Sequence, residues 1–156
     1  MAGGGAMMDV GIYAIQGARY SIGTEPVYVT AQEFKTDPIK FKEVDETIFW
    51  QMEFPDGEVS TSTTSYSSGA DRLYISAENG TVELEPAFGY GPQAGRTSKG
   101  PIDLPQTNHQ AVMMDEMCLG ITENKVLNVT GEEGLKDAKI IEAIYRSIQS
   151  GKREKI

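Results

Sequence analysis

Asp9, Tyr13, Gln16 and Tyr20 follow one another at intervals of four, three and four residues in the stretch GGGAMMDVGIYAIQGARYSIG, residues 3–23. On a regular helix such intervals return to one face, so a carboxylate, two phenols and an amide would share it. Carboxylates and amides bond hydroxyl groups and a positioned phenol passes a proton, so this face suits a polyhydroxylated ligand. A solvated helix face, or an Asp9 that caps or pairs locally, has the same spacing, and spacing alone weighs toward that plainer reading. Tyr13 also lacks electrostatic help: a free tyrosine titrates near ~10, and an adjacent carboxylate pushes it higher. Arg19 falls on a different face and the helix holds no lysine, so the cation that Tyr13 needs must come from elsewhere.

The element carrying these residues is a predicted helix over 5–21, with Met8, Ile12, Ile15 and Ala18 as its apolar stripe and Gly23 at the C-cap position. Gly11 and Gly17 weaken it. EPVYVTAQEF and DETIFWQMEF then read as strands, the second with Ile48, Trp50, Met52 and Phe54 on one side. Asp56-Gly57 turns the chain into EVSTSTTSY, and Asn79-Gly80 joins RLYISA to TVELE, which makes five largely antiparallel strands. Residues 86–106 are rich in glycine and proline and predict an extended loop, with one short strand at 102–104.

Two helices end the sequence. One, over 108–122, places Ala111, Met114, Cys118 and Ile121 on a stripe, with Cys118 as a small core hydrophobe. The other starts at the capping box Thr130 to Glu133, turns Leu135, Ala138, Ile141, Ile144 or Tyr145, and Ile148 inward, and stops at Gly151, where Lys152 and Arg153 suit the helix dipole. Strands grouped together and helices grouped apart predict an α+β fold. It has one open, mostly antiparallel or mixed sheet with helices on one face, the other face being available for oligomerisation.

A chain of 156 residues, 39% hydrophobic, fits one domain. Its net charge of -9 repels a phosphate backbone, which argues against nucleic acid. One cysteine leaves no intramolecular disulfide and no cysteine zinc site. No apolar run approaches the ~18 residues of a membrane span. The sequence therefore reads as soluble, with the cytoplasm favoured over the periplasm and the compartment left open. Met1 and Ala2 run straight into the first helix, as expected of a piece cut from a larger protein.

No G-x-G-x-x-G follows a strand and opens a helix; Gly89-Tyr90-Gly91 sits in the proline-rich loop with the wrong spacing. Gly3 to Gly5 would bring bare N–H groups near an anion or simply pack closely. His109, the one histidine, either touches substrate or is a surface or packing residue.

The opening stretch, with its glycine pair, Asp9, Gly11 and Tyr13, resembles the start of the second domain in the glucose-fructose oxidoreductase/inositol dehydrogenase family, in its tyrosine-bearing branch. RLYISAENGTVELEPAFGYG and VTGEEGLKDAKIIEAIYRSIQSGK resemble that branch too, in the same order along the chain. The resemblance implies the C-terminal, substrate-binding and oligomerising domain of an NAD- or NADP-dependent enzyme acting on a sugar or polyol. The dinucleotide would be bound mainly by a Rossmann domain absent here, and none is expected in this chain. The resemblance makes Tyr13 the proton-exchanging residue and Asp9 its helper, with Gln16, Tyr20 and His109 as candidate substrate contacts and no metal. A lysine from the Rossmann domain would supply the missing cation. Gln16 departs from the acid of the histidine branch, which counts against a polyol dehydrogenase. It further implies a homo-oligomer joined through the sheet, an isolated chain without hydride transfer, and a sheet lacking its first strand. The alternative is a non-catalytic domain that binds carbohydrate or protein and retains the fold.

Overall fold

The computed structural model describes residues 4–156; Met1, Ala2 and Gly3, which the sequence reading assigned to the approach of the first helix and to a possible anion contact, lie outside the described residues. The chain forms two compact units, one built from the residues up to 70 together with 135–156, the other from 71–134.

In the first unit, β1 (Tyr28–Phe34), β2 (Thr47–Glu53), β3 (Val59–Ser65) and β8 (Glu154–Lys155) make an antiparallel sheet in the order β3-β2-β1-β8. The period-two pattern of β2 is obeyed: Ile48, Trp50 and Met52 are buried while Phe49 and Gln51 face outward. Gly57, with φ at 96°, closes the β2-β3 turn where Asp-Gly predicts it. The buried face meets α1 (Ile12–Ile22) and α3 (Gly131–Ser150), whose Ile15, Ala18, Ile140, Ala143 and Ile144 join Val29, Ala31 and Trp50 in one core. Both helices thus serve one face of the sheet, as the α+β reading requires, and Thr30, Gln32, Phe49, Gln51, Thr61 and Thr63 stay exposed on the other.

Three expectations need correction here. Leu135 and Ala138 are exposed, while Asp137, Ile140, Ile144 and Ser147 form the inward stripe of α3. The stripe was hidden by its polar members, each of which has a partner: Ser147 Oγ accepts from Ala31 N at 2.9 Å and donates to Lys152 O at 2.6 Å. Nor does the edge of β1, open if the sheet lacks its first strand as the resemblance implies, stay wholly unpaired, because β8 covers Tyr28 and Val29. Arg153 fixes that closure by a two-pronged bond to Glu53, at 2.8 and 2.6 Å, with its guanidinium over the Tyr28 ring at 3.4 Å. Finally, the strands form two sheets, not one.

The second sheet belongs to the second unit: β4 (Leu73–Ala77), β5 (Gly80–Leu84), β6 (Gly95–Thr97) and β7 (Gly100–Ile102), antiparallel in that order. The Asn79-Gly80 turn is where the sequence puts it, with Gly80 at φ 138°. The extended loop contains two three-residue strands, and Pro101 is tolerated in β7 because that strand pairs on one side only. Glu83 is buried between Arg96 and Arg72, whose guanidiniums hold its carboxyl below the usual range.

In the same unit α2 (His109–Glu123) starts at Asn108, whose side chain accepts from Ala111 N at 3.0 Å, and ends at Asn124 with φ at 53°. Its predicted core stripe is overturned: Met114, Cys118 and Ile121 are exposed. Apolar residues such as Val112, Met113, Met117 and Leu119 occupy its other sides as well, so a helical period finds a stripe there in any phase.

Candidate active site

The stretch that carries Asp9 is not a regular α-helix. Met7–Gly11 is a π-helical turn, in which Ile12 N–H reaches back to Met7 O, and α1 continues from it to the left-handed Gly23 at φ 83°. The cause lies outside the helix. Asp45, just before β2, accepts Met7 N–H on Oδ2 at 2.7 Å and the Tyr145 hydroxyl on Oδ1 at 2.7 Å, while its main-chain oxygen takes Ala6 N–H at 3.3 Å. Burial, then the bond and charge of Asp45, push the Tyr145 phenol well above its ordinary range, so it remains a donor. From β3, Thr64 Oγ1 donates to Ala6 O at 3.2 Å.

Glycines make this approach feasible. A Cβ on Gly5 would lie 2.4 Å from Asp45 Cγ, and one on Gly11 would lie 2.8 Å from Met7 Sδ and 3.1 Å from Thr64 Cγ2. The widened turn shifts the phase of the helix. Ala6, Met7, Gly11 and Ile15 are buried, and Met8, predicted in the apolar stripe, is exposed beside Asp9 and Val10.

Asp9 is therefore presented outward, and a phenol holds it. Tyr66, immediately after β3, donates its hydroxyl to Asp9 Oδ2 at 2.8 Å. Its ring stacks on the buried Phe41, centroids 6.1 Å apart. Burial, the bond to Asp9 and the charges of Asp9 and Asp45 raise the Tyr66 pKa, which keeps it a donor at neutral pH. Tyr66 was not among the candidates read from the sequence. The only signal was an aromatic hydroxyl closing a run of serines and threonines, and no spacing rule links a strand end to a helix start 57 residues earlier.

Tyr13 lies in the first turn of α1 and is partly exposed. Gln16 turns its amide inward: Nε2 donates to Asp137 Oδ2 at 2.7 Å, and Asp137, fully buried, takes Arg19 Nη1 on Oδ1 at 2.7 Å. Arg19 also grips Glu25 at 2.7 and 2.8 Å, so this guanidinium is engaged in the core and its partners, in keeping with the different face read from the sequence. Tyr20 is 65% exposed. His109 is exposed at the first position of α2, in the second unit. The structure thus brings Asp9 together with Tyr66, while the donor group of Gln16 is bound elsewhere.

The same geometry tests whether a dinucleotide fits. At the start of the opening helix Met7 N–H is given to the Asp45 carboxylate, whose charge would repel a pyrophosphate there. The left-handed glycines stand at hairpin turns or helix ends, none at a strand-to-helix turn. Among the described residues neither feature forms the phosphate cradle of a dinucleotide site. Among the described residues no group of three potential metal ligands is found.

Residues 2–156 match the family described as "Oxidoreductase family, C-terminal alpha/beta domain". The chain belongs to that family. As a C-terminal oxidoreductase domain it is 39% identical to the aldose-aldose oxidoreductase of Caulobacter crescentus, solved with glycerol, at a TM-score of 0.93 over 99% of this chain and 48% of that one. It is 26% identical to D-xylose 1-dehydrogenase (NADP(+)) 2 of Haloferax volcanii, over 95% of this chain and 47% of that protein. An oxidoreductase of Agrobacterium radiobacter, solved with NAD+, L-tartaric acid and magnesium, shares the fold at 19% identity and a TM-score of 0.74, over 96% of this chain and 48% of that one. The domain spans about half the length of the curated relatives it matches. The family expected from the sequence is the family found.

Proposed function

We propose that this domain is the substrate-binding half of an NAD(P)-dependent enzyme that oxidises or reduces a sugar at a carbinol or carbonyl carbon. The observation that carries the reading is the outward Asp9 carboxylate on a π turn, held by Tyr66 and followed by the partly exposed Tyr13. It is supported by the names of the relatives, an aldose oxidoreductase and a xylose dehydrogenase.

In this reading a nicotinamide held by a segment outside this chain would supply the hydride chemistry when bound. Tyr13 exchanges the proton of the reacting hydroxyl or carbonyl, and Asp9 accepts a neighbouring sugar hydroxyl and so orients the ring. Tyr20 offers an exposed phenol to the sugar. Gln16 contributes only through its carbonyl oxygen, since its NH2 group is given to Asp137. A cation from the partner domain would assist Tyr13 in this reading, Arg19 being bound to Asp137 and Glu25.

Self-association through the exposed face of the first sheet is part of the same proposal. That face carries Thr30, Gln32, Phe34, Phe49, Gln51, Thr61 and Thr63, and the charge of Glu53 at its margin is matched by Arg153. Copies of a chain with net charge -9 meet most readily across an uncharged patch.

The deciding experiment uses the full-length protein. Tyr13→Phe is expected to lower kcat on an aldose by about a hundredfold or more, the range of a lost general acid or base, with dinucleotide affinity unchanged. The isolated chain is expected to bind neither NAD nor NADP by calorimetry. Unchanged turnover in the variant, or tight dinucleotide binding by the isolated chain, overturns the reading.

A further inference from the structure

Asp9 sits on an exposed turn, where a carboxylate ordinarily samples several rotamers, and a group meant to orient a substrate cannot do so freely. The structure supplies a brace. Tyr66 N–H donates to Glu46 O at 3.0 Å, and the Ser65 hydroxyl accepts Ser67 N–H and Ser68 N–H at 3.0 and 3.2 Å. Ser67 Oγ in turn donates to the buried Glu46 carboxylate, which also takes Thr36 Oγ1 at 2.5 Å. The turn after β3 is thus fastened at several points, and the Tyr66 ring lies on Phe41, itself covered by Lys40 at 4.9 Å from the ring centre. The Tyr66 hydroxyl proton, held in place by this frame, is given to Asp9 Oδ2.

We propose that Tyr66 is a positioning residue: its hydroxyl fixes Oδ2 of Asp9, leaving Oδ1 to receive a hydroxyl of the substrate. The inference rests on the sugar-oxidoreductase reading of the site and adds to it a residue from a different element. Tyr66 does not itself exchange the reacting proton. Its single donor is already committed, and burial together with the charge of Asp9 opposes loss of that proton. Its contribution passes through Asp9, and that makes the two side chains energetically one unit.

The test is a double-mutant cycle in the full-length protein, with an aldose and its dinucleotide, comparing Tyr66→Phe, Asp9→Ala and the pair. Tyr66→Phe removes one oxygen and keeps the ring on Phe41, so the fold is retained; an unchanged melting curve verifies it. The expected result for Tyr66→Phe is a KM for the sugar about tenfold higher, with kcat changed by less than about twofold and dinucleotide KM unaltered. The pair is expected to be no worse than Asp9→Ala alone. Losses that multiply in the pair mean that Tyr66 acts without Asp9 and overturn the proposal. A wild-type-like Tyr66→Phe beside an impaired Asp9→Ala also overturns it, while the reading of the site survives. If Asp9→Ala is itself wild-type-like, the role of Asp9 in the site falls and this proposal with it.

Discussion

Glu46 shows how a single residue sets the conditions under which the site exists. Its side chain is fully buried, with no basic partner among its bonds, yet its carboxyl is held down at about 2. The Ser67 and Thr36 hydroxyls and the main-chain N–H groups of Asp37 and Thr36 all donate to the charged form, and together they outweigh desolvation. Because the folded value lies below the ordinary 4.5, the stability it contributes is fully present above that value and is lost as pH falls through about 2. Glu46→Gln should therefore lower the urea midpoint at neutral pH, and the gap to wild type should close as the pH is taken down to about 2. A gap that is constant with pH would mean that ionisation of Glu46 is not what holds the turn carrying Tyr66.

At the scale of elements, the π turn is imposed by its neighbours, and glycine is what lets them impose it. Gly5→Ala would drive a methyl group into the main chain and carboxylate of Asp45, which cannot retreat without losing Met7 N–H and Tyr145. A cost of about 1–3 kcal/mol in thermal or urea denaturation is expected. Gly11→Ala should cost less, since its nearest contact is the flexible Met7 thioether; equal costs would argue against this account of the turn. The same distinction decides what could be read in advance. The Asp56-Gly57 and Asn79-Gly80 turns, Thr130 Oγ1 accepting Glu133 N–H and the Gly23 stop are local devices, and each was legible in a few residues. Asp9 and Tyr13 were picked out by residue type and spacing, and their chemistry is part of the proposal. Their surroundings were not, because Asp45 before β2, Thr64 in β3 and Tyr66 after it act on the first helix from far along the sequence. Asp137 escaped notice since an acid on an inward stripe breaks the apolar pattern, and β8 because two residues carry no periodicity.

For the molecule as a whole, the proposed self-association rests on the exposed sheet face of the first unit. Phe49 stands near its middle, between Gln32 of β1 and Thr63 of β3, and is 49% exposed. In a two-fold assembly each copy presents the same patch, so one acidic substitution places two like charges at a desolvated interface. Phe49→Glu in the full-length protein should convert the assembly to monomers in sedimentation experiments. The melting behaviour of the subunit should change little, since surface replacements ordinarily stay within about 0.5 kcal/mol. An assembly that survives Phe49→Glu would place the contact elsewhere. The neutrality of this face would then need another explanation, because on a chain carrying net charge -9 an uncharged, partly aromatic sheet surface is not what solubility alone would select.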